Sequence, residues 1–241
     1  MPRSTTTEDT MLTRFLALIA FAAALAAPAS AQTPDTRPGI AVLPFTNGGS
    51  YGANREDLEA LQVGVQELLL TELNVNTNLR IVERGQLRQI LEEQGLAQAG
   101  RVDAATAARI GRIVGARYVV TGVFVDLNGD FRMDGRIVDV ETTEILKTEQ
   151  VRDRRENLYD MLVDLATKIT QGVNLPPLPS AVREERRDRE IPPEAITLFS
   201  RAQVYADAGR KDRAIELYER IAQEFPQMTQ AKEALRQIRG A

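Results

Sequence analysis

The chain has 241 residues and a formal net charge of −4, from 30 Lys and Arg against 34 Asp and Glu. It contains no Cys, no His and no Trp, so it can form no disulfide, no thiolate or imidazole zinc site, no Cys or His catalytic pair and no lipid anchor on an N-terminal cysteine. The mildly acidic balance offers no general attraction to nucleic acid, and we expect no nucleic-acid partner.

Residues 1–31 are predicted to be a signal peptide. Arg14 precedes the apolar run 15–27, which is followed by Pro-Ala-Ser-Ala at 28–31, so cleavage is expected between Ala31 and Gln32. A transmembrane helix is the competing interpretation, but this run is shorter than the roughly 20 apolar residues that a span needs. We therefore expect an exported, periplasmic protein without a transmembrane helix in the mature chain, and peripheral contact with the outer membrane stays open.

The start of translation also stays open. Glu8 and Asp9 are unusual in the positively charged beginning of a signal peptide, so either Met1 or Met11 could be the first residue.

After a polar lead-in, residues 32–38, the hydrophobic pattern predicts one α/β domain over residues 39–173 with the order β-α-β-α-α-β-β-β-α. Strands are predicted at 39–45, 79–84, 117–126, 131–140 and 144–151. A loop at 46–53 precedes a helix carrying Leu58, Leu61, Val65, Leu68, Leu69 and Leu73. Further helices are indicated by Leu87, Ile90 and Leu91 with Gly95 as C-cap, by the stretch from the N-cap Asp103 to Gly115, and by the stripe Leu158, Met161, Leu162, Leu165 and Ile169.

These elements predict a mixed sheet packed with helices. A helix between the first two strands implies a parallel crossover. The last three strands are expected to form an antiparallel meander, because Asn128-Gly129 is a strong hairpin signal and Glu141-Thr142-Thr143 follows as a second turn.

The composition changes after Val173. Residues 174–193 begin with Asn-Leu-Pro-Pro-Leu-Pro-Ser and continue with eight charged residues at 183–190. We interpret this stretch as a linker, in which the charged run is solvated or forms a short exposed helix.

Residues 194–241 are predicted to be helical and to resemble a tetratricopeptide repeat (TPR). In that repeat small residues lie where two helices cross, aromatic residues fill the gap and a proline ends the second helix. The matching positions are Ala202, Tyr205, Ala214, Tyr218 and Pro226. A plain helical hairpin without a ligand groove is the alternative. One repeat alone is unstable, so we expect it to dock on another surface or to extend another array.

Two motifs suggest ligand sites and fail on closer inspection. The Gly-rich loop at 48–52 follows a strand and precedes a helix, but it lacks the lysine and the spacing of a phosphate-binding loop. Asp126, Asn128 and Asp130 have the spacing of a calcium loop, but Phe131 and Ile137 stand where that loop needs Gly and Glu. We interpret them as a connecting loop and a hairpin turn.

No catalytic constellation is evident in the sequence. The carboxylate pairs at 92–93 and 184–185 are expected to be exposed, and a general acid needs an apolar pocket. A serine nucleophile would need a lysine partner in the absence of histidine, and no Ser-x-x-Lys motif is present. We therefore predict no catalytic, cofactor-binding or metal-binding residue, and a protein that is not an enzyme.

Four segments, in order, resemble the curli production assembly/transport (CsgG-like) family. They read IAVLPF from Ile40, IVER from Ile81, GARYVVTG from Gly115 and RIVDVETTEIL from Arg136. The resemblance implies an envelope protein of Gram-negative bacteria, with a fold similar to the anticodon-binding-like N-terminal domain of TolB. Family members that secrete curli subunits form oligomeric pores in the outer membrane.

The chain departs from the curli channel in three places. The channel is a lipoprotein, whereas this chain has no cysteine. Its barrel comes from long hairpins, whereas the hairpin at 117–140 is short and carries Arg132, Asp134 and Arg136. Thr143 also stands where a glycine is frequent, which puts the type of that turn in doubt.

The leading functional hypothesis is a non-enzymatic periplasmic accessory or scaffold protein in envelope assembly or secretion. It would bind envelope proteins through the exposed sheet edge and the C-terminal helices. A homo-oligomer is implied by the family alone. The alternatives are a subunit of an outer-membrane secretion channel and a periplasmic ligand-binding or hydrolytic enzyme, the latter requiring a pocket with carboxylates or lysines of shifted pKa.

The repeat assignment predicts the effect of one substitution. Ala214→Arg should unfold the C-terminal hairpin, because a long cation does not fit a close helix crossing. Circular dichroism and thermal melting measure the loss, and unchanged helicity and melting would contradict the assignment.

Overall fold

A computed structural model describes residues 35–51, 54–95 and 102–240, and it confirms the mixed sheet packed with helices. The strands are β1 (Gly39–Val42), β2 (Thr46–Asn47), β3 (Arg80–Ile81), β4 (Tyr118–Leu127), β5 (Asp130–Asp139) and β6 (Ile145–Arg154). The helices are α1 (Arg55–Asn74), α2 (Arg84–Glu93), α3 (Ala104–Val114), α4 (Leu158–Gly172), α5 (Ser180–Arg187), α6 (Pro193–Asp207), α7 (Lys211–Glu224) and α8 (Thr229–Gly240), with a 3-10 turn at Arg155–Asn157.

The sheet has the order β3-β1-β4-β5-β6, and β2 pairs with β4 beside β1. β1 is parallel to both β3 and β4, as the helical crossover predicts, and the meander β4-β5-β6 is antiparallel. Ile40, Ala41 and Val42 are fully buried. A continuous apolar run is typical of a parallel strand that is covered on both faces.

The turns of the meander follow local chemistry. Asn128 and Gly129 have φ of 53° and 91°, as in the hairpin turn that this dipeptide favours. At the second turn Thr143 has φ of 65°. The buried Asp139 carboxylate holds that turn, because its Oδ1 accepts hydrogen bonds from the amides of Glu141 at 2.8 Å and Thr142 at 3.0 Å.

Three predicted segments differ in their extent. The first strand ends at Val42, and a separate two-residue strand, β2, lies in the predicted loop, where it pairs with Val123 and Phe124. β3 is only two residues long, and Arg84, which the pattern placed in the strand, is the first residue of the next helix. The predicted linker contains the helix α5, as one of its two interpretations allowed, and this helix carries residues 183–187 of the charged run.

Two helices cover one face of the sheet. α2 and α3 pack Leu87, Leu91 and Ile110 against Ala41 and Val119. The predicted caps of α3 are present. Asp103 accepts a hydrogen bond from the Thr106 amide at 2.7 Å, and Gly115 has a left-handed conformation that suits a residue without Cβ.

The opposite face is covered by α1 and α4. Phe124 and Phe131 of the central hairpin stack with ring centroids 5.6 Å apart and belong to one core with Leu69 of α1 and Leu165 of α4. The six apolar positions predicted for the first helix are all buried: Leu58, Leu61, Val65, Leu68, Leu69 and Leu73. This face of the sheet therefore holds the larger core.

α1 is also buried on its second side, by the C-terminal helices. Its buried residues include Ala60, Gly64 and Leu70 in addition to the six apolar residues of the predicted stripe. At the crossing with α6 a methyl group on Gly64 would lie 2.6 Å from the Cβ of Ser200. Residues from Arg37 onward consequently form one compact unit.

The TPR-like positions lie in the three-helix C-terminal part. Ala202 and Ala214 are fully buried, and Tyr218 packs against Phe199 with ring centroids 5.9 Å apart. Tyr205 is partly buried, and Pro226 is exposed just after α7. α6 packs on α1, α7 packs on α6 and α8 packs on α7.

Two predictions concern membranes and export. Among the described residues, every helix is too short or too polar to cross a bilayer. The predicted cleavage site at Ala31 and Gln32 lies outside the described residues.

The crossing of α1 and α6 makes a testable prediction. Gly64→Ala should lower the free energy of unfolding by about 1–3 kcal/mol, because the added methyl group overpacks the crossing. Ser200→Gly in the same chain should recover part of that loss, as measured by urea denaturation.

The matched control is Gly85→Ala, since a methyl group at Gly85 meets nothing within 4 Å. Equal effects of Gly64→Ala and Gly85→Ala would show that the crossing is not tight.

Candidate functional site

Arg84 joins three helices in a partly buried polar network. As the first residue of α2, it donates from Nε to Glu67 of α1 at 2.9 Å. Its Nη1 donates to Asp207 at 2.5 Å and its Nη2 to the Gln203 side chain at 2.7 Å, both on α6. The Arg84 side chain is 15% exposed. One guanidinium, with its planar fork of donors, thus fixes the position of α6 against α1 and α2.

Arg88, one turn further along α2, strengthens the same contact. Its Nη1 donates to the backbone carbonyl of Asp207 at 2.8 Å, at the C-terminal end of α6. Carbonyl groups there have no partner within the helix, and a cation compensates their partial negative charge. The α2 arginines therefore hold the end of α6.

A second polar cluster connects α1, α4 and α5. The Glu72 side chain is 2% exposed and accepts a hydrogen bond from the Tyr159 hydroxyl at 2.9 Å. Arg186 of α5 approaches the same carboxylate at 3.4 Å. Burial raises the pKa of Glu72, and the Arg186 cation opposes that rise. Burial and the nearby Glu72 carboxylate also raise the pKa of Tyr159.

The ionisable groups around Arg84 are shifted for the same reasons. Burial raises the pKa of Glu67, whereas Arg84 lowers it. Burial alone would lower the pKa of Arg84, but the carboxylates of Asp207 and Glu67 raise it. Glu67 is therefore a carboxylate with a raised pKa beside a groove. Its hydrogen bond from Arg84 assigns it to the ion pair that fixes α6.

A groove of about 780 Å³ opens between these helices and α8. We call it the interhelical groove. Its apolar floor is formed by Phe199, Ala206, Tyr218, Ala234 and Ile238, and its charged rim by Glu67, Glu83, Arg84, Arg88, Arg186, Arg189, Glu233 and Arg236. Volumes of this size are typical of ligand clefts.

Gln230, in the first turn of α8, lines this groove with an amide that is unsatisfied. The residue is 7% exposed, and neither Nε2 nor Oε1 finds a hydrogen-bond partner among the residues that the structure describes. Buried amides are nearly always paired, since an unpaired one costs about 1–3 kcal/mol. Both amide atoms are closed to solvent, so the unpaired amide lies beneath the surface of the groove.

The strand β6 forms a second candidate surface, at the sheet edge. Within the described sheet it pairs with β5 alone, and most of its residues are exposed, including Ile145 and Leu146. Lys168 donates from Nζ to the Gln150 carbonyl at 2.7 Å, and Lys147 pairs with Glu149 at 2.7 Å. Lysines at an edge discourage unspecific strand pairing.

The rejected motifs have structural roles. Asp126 is fully buried, accepts from the Gly129 amide at 2.8 Å and forms an ion pair with Arg155. Asp130 pairs with Arg152 across the hairpin. In the part of the chain that the structure describes, no three acidic side chains are placed to hold a metal ion.

Of the predicted TPR-like positions, only Tyr218 lines the interhelical groove. Two other residues of the groove, Arg84 and Gln230, were not predicted from the sequence to belong to a site. The sequence pattern places Arg84 at the end of a predicted strand and Gln230 within the predicted C-terminal helices, with no role for either. The one available signal for Gln230 was its place in the first turn before the apolar stripe of α8, and that signal does not predict burial.

Residues 22–135 match the family model described as curli production assembly/transport component CsgG. The predicted resemblance to the CsgG family is therefore confirmed. The matched stretch covers the CsgG-like part from before β1 to the middle of β5, and it includes both arginines that hold α6. A comparison with curated proteins gave no match.

Solved structures show partial likeness to this chain. The LpoB C-terminal domain from Salmonella enterica aligns with a TM-score of 0.40 at 21% identity, over 49% of this chain and 83% of that one. TolB from Acinetobacter baumannii aligns with a TM-score of 0.39 at 20% identity, over 59% of this chain and 30% of TolB. A chain of the PelC dodecamer from Paraburkholderia phytofirmans aligns with a TM-score of 0.31 at 14% identity, over 58% of this chain and 90% of the PelC chain.

The Glu72 cluster predicts a pH dependence. Because the pKa of Glu72 is raised in the folded protein above its usual 4.5, its contribution to stability is fully present below pH 4.5. That contribution is lost as the pH rises through the folded pKa. The free energy of unfolding of the wild type, relative to that of Glu72→Gln, should therefore fall as the pH is raised from 4.5.

Urea denaturation at a series of pH values measures this difference. Glu59→Gln, on the exposed side of α1, controls for the loss of one negative charge. A difference between wild type and Glu72→Gln that stays constant with pH would contradict the buried state of Glu72.

Proposed function

We propose that this protein is a non-enzymatic accessory or scaffold of the cell envelope, which acts in the periplasm by binding other proteins during envelope assembly or secretion. The observation that carries the proposal is the match of residues 22–135 to a family of assembly and transport components. The geometry adds two surfaces through which such binding would occur, the interhelical groove and the β6 edge.

The interhelical groove supports the proposal by its composition. Aromatic and aliphatic side chains form its floor, and arginines dominate its rim. Aromatic residues and arginine are enriched in protein interfaces, whereas lysine is depleted there. The groove is also composite, since its walls come from the CsgG-like part and from the C-terminal helices.

The β6 edge supports the proposal because its backbone is free to pair with a strand of another protein within the described sheet. An edge strand presents amide and carbonyl groups that a strand of a partner can extend, with side-chain pockets giving specificity. Ile145 and Leu146 provide exposed apolar contact at one end of β6. Lys147, the next residue of β6, and Lys168 of α4, which is bonded to the Gln150 carbonyl, would limit which partners can pair.

A subunit of a secretion channel is the second candidate, because the matched family description itself names transport. That function would require a ring of subunits that associates with the membrane. Light scattering with and without detergent, together with electron microscopy of the purified protein, separates such a ring from a monomer.

Site-specific photo-crosslinking in the periplasm tests the main proposal. A photoreactive residue at Arg236 reports on the groove and one at Leu146 on the sheet edge, since both side chains are exposed. We expect adducts with defined envelope proteins, identified by mass spectrometry, from at least one of the two positions.

Arg55, a highly exposed residue at the start of α1, is the control position and should give no adduct. Absence of adducts from both test positions, combined with a strictly monomeric protein, would contradict the scaffold proposal.

A further inference from the structure

Resting on the proposed function, the inference concerns the residues that directly precede α5, Leu-Pro-Pro-Leu-Pro at 175–179. We call them the proline segment. Each proline holds its own φ at about −65°, and a residue that precedes a proline is disfavoured in the helical region. Since Leu175, Pro176 and Leu178 all precede a proline, the sequence favours a polyproline II helix, which is extended and left-handed.

The structure holds the proline segment in an extended conformation with fixed ends. It contains no residue of a helix or strand, and Pro179 has φ of −51° and ψ of 143°, near the polyproline II values of about −75° and 145°. The Leu175 amide donates to the Thr170 carbonyl at 3.2 Å, and the Pro179 carbonyl accepts from the Val182 amide at 3.1 Å. The segment is therefore held in place before any partner binds.

The proline segment rests on the protein along one of its three edges. A polyproline II helix has three residues per turn, so residues three apart lie on the same edge. Leu175 and Leu178 share the edge that faces the protein, since both are half-buried and Leu175 packs against the larger core. Pro176 and Pro179 share a second edge, and Pro177 lies on the third. All three prolines are exposed, so two edges of the helix face solvent.

The backbone between the exposed prolines is also available. The Pro176 carbonyl accepts a hydrogen bond from Asn76 Nδ2 at 3.1 Å, whereas no hydrogen bond among the described residues engages the backbone of Pro177 or Leu178. A polyproline II helix has no internal hydrogen bonds, so these two carbonyl groups can accept from a partner. The proline segment thus offers apolar rings and free acceptors side by side.

This combination fits one kind of partner surface. Domains that bind polyproline II helices use grooves lined by aromatic side chains, and they exploit the low conformational entropy of the preformed helix. A partner that adds a strand needs main-chain N–H groups, which prolines lack. We propose that the proline segment is a ligand for a partner protein, which binds Pro176, Pro177 and Pro179 in an aromatic-lined groove while the leucine edge stays on this protein.

Photo-crosslinking of the exported protein in an envelope extract tests this inference. A photoreactive residue replaces Ser180, which is exposed and directly follows the proline segment. We expect a defined envelope protein as the main adduct. Its yield should fall about tenfold when Pro176→Ala and Pro177→Ala are combined, because two apolar rings are lost from the contact.

Competition supplies a second readout that needs no variant. A free oligoproline peptide should suppress the wild-type adduct, whereas a Gly-Ser peptide of the same length should not. The identified partner, once purified, should bind the oligoproline peptide with a change in its tyrosine or tryptophan fluorescence, because the rings of its groove contact the prolines.

The matched control variant is Pro226→Ala, which removes an exposed proline outside the segment. Its adduct yield should equal that of the wild type. Circular dichroism of the double variant checks that the helices on both sides of the segment are intact. The oligoproline competition remains a valid test even where the double variant is less stable.

Each other outcome overturns the inference. It fails if no adduct forms at Ser180, if the adduct persists in the double variant, or if oligoproline does not compete. An adduct that is lost at high salt but not in the double variant would assign the contact to the charged helix α5. An adduct between two copies of this chain would show self-association instead. Adducts from Arg236 or Leu146 alone would leave the scaffold proposal intact and contradict this use of the proline segment.

Discussion

The structure depends on α1 being buried on two sides. One side packs on the sheet through the leucines that give the helix its apolar stripe, and the other receives α6 at Gly64 and Ser200. From Ala60 to Leu73 every residue of α1 is buried or half-buried, as a helix between two layers requires, and a small residue is needed where another helix crosses closely. The C-terminal helices therefore complete the core of the CsgG-like part, although they follow it in the sequence.

Polar residues at this junction set the position of α6 more narrowly than apolar packing would. Arg84 satisfies Glu67, Asp207 and Gln203 at once and so fixes α6, whereas Glu72, satisfied by Tyr159 and Arg186, fixes α5 against α1 and α4. Buried ion pairs add little net stability, because the desolvation of the charges offsets their attraction. The effect of the Arg84 network is geometric, since a displacement of α6 would separate Arg84 from Asp207 and Gln203.

Much of the fold follows from local sequence signals. The apolar run from Ile40, the caps Asp103 and Gly115, and the Asn128-Gly129 turn each predict their element, because each depends on neighbouring residues only. The second buried side of α1 does not follow from its sequence. Gly64, Gln66 and Glu72 interrupt its apolar pattern, and their partners lie far along the chain or on other elements.

The candidate site was harder to predict than the fold for the same reason. The charged run at 183–190 reads as solvated, yet Arg186 reaches Glu72 and Arg187 pairs with Asp164 of α4. Gln230 carries no local sign of burial. A groove whose walls come from six helices becomes visible only when their packing is known.

The covered second side of α1 also bears on how this protein can be divided experimentally. Removing everything after the Pro-rich stretch would expose Ala60, Leu70 and the floor of the larger core to water, and such a fragment would be prone to aggregate. Cleavage of the backbone at that stretch would not expose this surface, because the C-terminal helices would stay attached through buried contacts. Domain dissection by truncation would thus report on a damaged surface, whereas a nicked but associated protein would preserve the native one.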